Sequence, residues 1–118
     1  MATTPGNMLL IETTILVDLL RQVDSAANYL DDARARATLI CSVVTKAELF
    51  VGARNRAELK AIEQLFARFK IEPIAGGDSV RAVNWLKKYH LSHGIGFHDC
   101  LIAAAAMRNG IVIATLND

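Results

Sequence analysis

The sequence predicts an α/β fold, one domain in which helices pack against a short parallel sheet. Three observations carry that prediction. Short apolar runs suited to buried strands recur along the chain. Between them lie stretches whose apolar residues return at helical spacing, the alternation that gives βαβ units and parallel strands. The length, 118 residues, suffices for a single packed core.

Residues 8–12 form the first strand candidate, rich in Leu and Ile. Thr13 or Thr14 is suited to cap a helix starting directly after it, with Ile15, Leu16, Leu19 and Leu20 on the inner face. Residues 24–37 read as a second helix through Ala26, Tyr29, Leu30 and Ala33. Leu39-Ile40-Cys41 is a second strand that Ser42 ends, and a helix follows through Leu49 and Val51 to Gly52. Residues 56–69 are amphipathic, with Leu59, Ile62, Leu65, Phe66 and Phe69 on one side. Ile71-Glu72-Pro73-Ile74 is a third strand, and its proline favours an edge or an end. Gly76-Gly77 reads as a turn before a long helix over 78–91. An Ala-rich helix over 99–108 stops at Asn109-Gly110, and Ile111-Val112-Ile113-Ala114 is the fourth strand. The domain is expected to span 1–118, although a parallel α/β unit would normally continue past Asp118.

The hydrophobic fraction is 53% and the mean hydropathy +0.28. That excess suggests an apolar partner surface, such as an oligomer interface. The net charge of +1 excludes a bulk polycation, so nucleic acid would have to be held by a local basic patch and a metal. Cys41 and Cys100 sit among apolar neighbours outside any CxxC pair and read as buried free thiols in a reducing compartment. The N-terminus lacks a basic n-region, and no apolar run approaches the ~18 residues that span a bilayer. A cytoplasmic location with no membrane contact follows as the expectation.

Three acids stand in the most apolar parts of the chain: Glu12, Glu48 and Asp99. Burying an unpaired charge is costly, so such groups are usually neutralised, paired or bound to metal. No Lys or Arg lies within eight residues of Glu12, although Arg54 or Arg108 offers a long-range partner. Together the three suggest one acidic site for a hard divalent cation, Mg²⁺ or Mn²⁺. Each has a plainer reading as well. Thr45-Lys46-Ala47-Glu48 matches a capping box. Asp99 suits the N-cap or first turn of the Ala-rich helix. Asp18 is expected to face solvent. His90, His93, His98 and Cys100 crowd one stretch, but no second thiolate pair completes a zinc set, and a His98–Cys100 nucleophilic pair would diverge on a helix. Lys46, Arg54, Arg56 and Lys60 form either a solvated surface or a phosphate-guiding patch.

Four blocks in order then resemble the PIN domain family, and within it the VapC toxins of bacterial toxin–antitoxin pairs. They are Leu9 to Leu20 around Glu12, Thr45 to Ala53 around Glu48, Gly94 to Ala104 around Asp99, and Ile113-Ala114-Thr115-Leu116-Asn117-Asp118. The resemblance implies a three-layer α/β/α fold and a metal-dependent endoribonuclease. It implies Glu12, Glu48 and Asp99 around Mg²⁺ or Mn²⁺, with a fourth corner at Asn117 or Asp118, and Thr13 and Thr115 as supporting hydroxyl positions. It also implies a homodimer held inactive by a cognate VapB-type antitoxin, and an RNA substrate cut in single-stranded or loop regions. Two departures stand out. The family's first acid is normally aspartate, and Glu12 would be either natural variation or deliberate attenuation. The family's last segment is absent beyond Asp118. Two alternatives accompany the reading: a catalytically weakened module acting through antitoxin binding, and a DNA-directed nuclease of the same fold.

Overall fold

β1 (Met8–Ile11) lies inside the sheet, and its Leu10 and Ile11 are fully buried. The structure, a computed structural model, describes residues 7–114. After β1 come α1 (Thr13–Leu20), α2 (Asp24–Arg34), β2 (Thr38–Ser42), α3 (Val43–Val51), α4 (Arg56–Phe66), β3 (Lys70–Glu72), α5 (Gly76–His93), α6 (Phe97–Arg108) and β4 (Val112–Ala114). The strands are all parallel, in the order β3-β2-β1-β4. β3 is therefore an edge strand, and Pro73 falls just past its end, where no ladder amide is required.

Strand side chains alternate between faces, and the register makes that alternation consistent across the sheet. Leu9 pairs with Leu39, Leu10 with Ile40, and Cys41 with Ile71. Ile11, Leu39 and Cys41 pack with Ile15, Leu30, Ile62 and Phe66 from α1, α2 and α4. Leu10 and Ile40 face the other way, onto Ile102 and Ala106 of α6. The result is the expected α/β/α sandwich, with α5 packed on α6.

Several boundaries differ from expectation, each for a local reason. Glu12, not a threonine, occupies the N-cap of α1, in extended backbone with no side-chain cap bond. Ser42 caps α3 by accepting from the Val44 amide at 3.0 Å. Thr45 therefore lies inside the helix, and the capping-box reading of Glu48 fails. α2 stops at Arg34 and α4 at Phe66, both short of expectation. Phe69 nevertheless stays in the core, because the chain turns back there with the Phe69 amide donating to Phe66 at 3.1 Å. Gly76 and Gly77 open α5 and do not form a separate turn. Asp78 holds that first turn by accepting from the Ala75 amide at 2.8 Å.

α1 ends in a Schellman turn. The Gln22 amide donates to Leu19 at 3.0 Å and the Val23 amide to Asp18 at 2.9 Å. Gln22 carries the left-handed backbone this requires, with φ 62°, at a position where glycine is usual. Among the described residues no helix is long and apolar enough to cross a membrane.

Candidate active site

The site begins where β1 and β2 end. Extending their register from Leu10 opposite Ile40 sets Ser42 beside Glu12. Each residue is the N-cap of the helix that follows, so α1 and α3 start side by side at the carboxyl edge of the sheet. Ligand sites in open parallel sheets gather at that edge. The two first turns are tied together by Thr13 and Thr45, whose hydroxyls lie 2.9 Å apart, with Thr45 completely buried.

Glu12 is half-buried, and the Thr14 hydroxyl donates to its Oε1 at 3.2 Å. It is thus not the buried, unpaired carboxylate that the apolar run suggested, because the chain crosses the rim of the sheet between Ile11 and Ile15, with Glu12 at the N-cap of α1. Neither arginine considered as its partner reaches it. Arg54 pairs with Glu58 at 2.7 Å, and Arg108 pairs with Asp78 at 3.0 Å. Among the described residues the buried carboxylate is Asp78, which sequence patterning did not single out. Arg108 beside it, together with the Ala75 amide, holds its carboxyl below the usual range against the opposing effect of burial.

Glu48 stands one helical turn beyond Thr45 on the same face of α3. Its Oε2 lies 3.1 Å from His98 Nδ1. A carboxylate only accepts, so this ring nitrogen carries the hydrogen. His98 is the second residue of α6 and Asp99 the third, so the contact fastens the start of α6 to the middle of α3. Asp99 is exposed in the first turn, behind a glycine N-cap that offers no side chain. A negative charge there complements the helix dipole, as its plainer reading held. Consecutive helical residues point about 100° apart, so Asp99 and His98 do not share a direction.

Two hollows meet at Glu48. One, of about 740 Å³, lies between α1, α3 and α4 and includes Thr13, Val17, Arg21 and Arg54 in its lining. The other, of about 620 Å³, is apolar and is bordered by Val43, Ala47, Val51, Phe97 and His98. Glu48 lines both.

Carboxylates are the hard oxygen donors that Mg²⁺ and Mn²⁺ prefer, so Glu12, Glu48 and Asp99 fit such an ion in kind. Among the described residues, however, no three His, Cys, Asp or Glu side chains come close enough together to hold one. Convergence of the three acids is therefore not reproduced in these side-chain positions. Thr115, Asn117 and Asp118, including the fourth corner, lie outside the described residues.

The remaining candidates resolve simply. His90 Nδ1 bonds the Ile95 carbonyl at 2.7 Å and His93 Nδ1 the Ser92 hydroxyl at 2.6 Å, both at the end of α5. Asp18 is half-buried and not fully solvated. Cys41 and Cys100 are buried free thiols, as expected. Burial pushes the Cys41 thiol up to about 12, and burial followed by the charge of Asp99 raises Cys100. Neither is poised as a nucleophile. Sequence reasoning missed His98 as the partner of Glu48 and Ser42 as the cap. The available signals were the adjacency of His98 to Asp99 and the position of Ser42 at a strand end.

Residues 9–118 match the family described as the PIN domain. Ribonuclease VapC10 of Mycobacterium tuberculosis is 38% identical over 111 residues, covering 93% of this chain and 83% of the relative. Among solved structures, VapBC2 from Rickettsia felis, bound to a DNA fragment from its promoter, superposes with a TM-score of 0.77 at 22% identity, covering 93% of this chain and 87% of that one. A toxin–antitoxin complex from Klebsiella pneumoniae gives 0.75 at 24% identity, covering 92% and 86%. At these identities the structural likeness speaks for the fold.

Proposed function

This chain belongs to the PIN domain family, and we propose that it is the endoribonuclease toxin of a VapBC-type toxin–antitoxin pair. The observation that carries the proposal is 38% identity, across nearly the whole chain, to a protein named a ribonuclease. Supporting it, Glu12 and the start of α3 lie at the carboxyl edge of a parallel sheet, Glu48 stands one turn beyond Thr45 on α3, and His98 at the start of α6 contacts it.

In this reading Glu12, Glu48 and Asp99 hold Mg²⁺ or Mn²⁺, with Asn117 or Asp118 at the fourth corner and Thr13 and Thr115 in support. When bound, the ion lowers the pKa of a coordinated water and offsets charge on the scissile phosphate. The protein's own part is positioning. His98 occupies Glu48 Oε2 and fixes the carboxylate's rotamer, leaving Oε1 without a protein partner among the described residues. Thr45, buried and bonded to Thr13, sets the spacing of the two helix starts. The exposed rim suits single-stranded or looped RNA, whose backbone can bend into it.

The partner assignments follow the same line. A VapB-type antitoxin is the proposed regulator, in keeping with the VapBC complexes this fold resembles. Val43 and Val51, 37% and 87% exposed, form with Ala47 an apolar stripe on α3 beside exposed Phe97, and we assign it to a homodimer contact. Buried reduced thiols accord with the cytoplasm.

Glu12 carries one methylene more than the aspartate usual in the family. A shift of about 1 Å at a reacting centre costs on the order of 10²-fold in rate. The test is cleavage of a structured RNA panel with Mg²⁺ or Mn²⁺ against chelator. Glu12→Asp should cut roughly 10²-fold faster than the unaltered chain, by the same argument. Asp99→Asn, made in the Glu12→Asp background, should abolish metal-dependent cleavage. Cleavage surviving in Asp99→Asn would overturn the site. Failure of both Glu12 forms to cut RNA or bind metal would leave an antitoxin-binding module, and selective cleavage of DNA would leave the alternative nuclease.

A further inference from the structure

We infer that Arg21 is a phosphate-positioning residue, holding the RNA backbone several nucleotides from the cleavage point; the inference rests on the nuclease reading above. The larger hollow runs along α1 from Thr13 at its first turn to Arg21 at its C-cap. Eight residues of α-helix cover about 12 Å. That is three to four phosphate steps at the ~3.4 Å axial spacing of one stacked strand. Glu48 lines the same hollow, as do Arg54 and Glu58.

Arg21 is the lining cation left uncommitted. Arg54, the other arginine there, is occupied by Glu58 through Nε and Nη2, with the closest contact at 2.7 Å. Glu48 is engaged by His98. Arg21 is exposed and takes part in no ion pair or side-chain hydrogen bond among the described residues. Its backbone is nonetheless fixed, with the amide donating to Val17 at 3.0 Å and Gln22 beyond it held at φ 62°. A free guanidinium on a rigid stem beside a groove is the arrangement that grips a phosphate and reads no base.

The test is the salt dependence of binding to a fluorescent single-stranded RNA in chelator, with KM and kcat measured in parallel in Mg²⁺ using the Glu12→Asp form. Each phosphate contact on a single strand contributes about 0.7 to the slope of log affinity against log salt. Arg21→Gln should lower that slope by about 0.7 and raise KM with kcat unchanged, whereas Arg21→Lys should keep the slope. An unaltered slope in Arg21→Gln, or equal loss in Arg21→Lys, would overturn the role of Arg21 while the nuclease reading stands. A chain that neither binds nor cuts RNA would overturn both.

Discussion

Replacing Asp78 with alanine should destabilise the fold more than any change at the exposed rim. Asp78 is 2% exposed and accepts from Arg108 Nε at 3.0 and 3.2 Å, from Arg108 Nη2 at 3.1 Å and from the Ala75 amide at 2.8 Å. Arg108 also donates to the Pro73 carbonyl at 3.3 Å, so one cluster joins the end of β3, the start of α5 and the end of α6. Removing one partner of a buried pair costs about 3–5 kcal/mol. The Arg108 side chain is 35% exposed and recovers water when the carboxylate goes, which lowers the expectation to about 2–4 kcal/mol. At about 4 °C per kcal/mol for a domain of this size, Tm should fall by roughly 8–16 °C. Urea unfolding as a function of pH supplies the assay. Arg108 first, then the Ala75 amide, hold the folded carboxyl below its ordinary 3.8, against burial. A lowered folded pKa means that stability from the pair is present above the unfolded value and is lost as pH falls through the folded one. The gap between wild type and Asp78→Ala should therefore stay constant from about pH 5 to 8 and close below about pH 4. A loss under about 1 kcal/mol, or a gap indifferent to acid, would refute this account.

Two further expectations concern groups away from the rim. Gln22→Gly relieves a left-handed backbone at a helix end and should stabilise the fold by about 1 kcal/mol, read as a rise in Tm of about 4 °C; a fall would contradict the Schellman geometry. Cys41, its thiol raised to about 12, should resist a thiol reagent at pH 8 until the chain unfolds, since on the order of one molecule in 10⁴ carries the thiolate; rapid labelling of the native protein would disprove that burial.

The sheet was legible in the sequence because its signals are local and strong. Runs such as Leu9-Leu10-Ile11 and Leu39-Ile40-Cys41 are buried on both faces, and Ile62, Leu65 and Phe66 recur at helical spacing. The helix starts were less legible, because several residues near each start are suited to capping. Ser42 won over Thr45 by lying where β2 ends. The acids were legible as types and not as environments. Glu12 follows the last core residue of β1, so it inherits an apolar sequence neighbourhood without the burial. Asp78 sits in an ordinary-looking polar helix start, yet it is sealed by an arginine thirty residues away. The His98–Glu48 contact spans fifty residues, and no periodicity encodes it.

A single residue separates β1 from α1, and none separates β2 from α3. The rim is therefore cast directly by the sheet, with no slack that drift could use. One inserted residue at either junction would rotate the following helix by about 100° and carry Thr13 or Glu48 out of place. Variation in what such a nuclease accepts must enter elsewhere, at residues 52–55 between α3 and α4 or 94–96 before α6, where the chain has length to spare. Side chains at the rim can change in place, as Glu12 does, whereas changes of length fall to those margins.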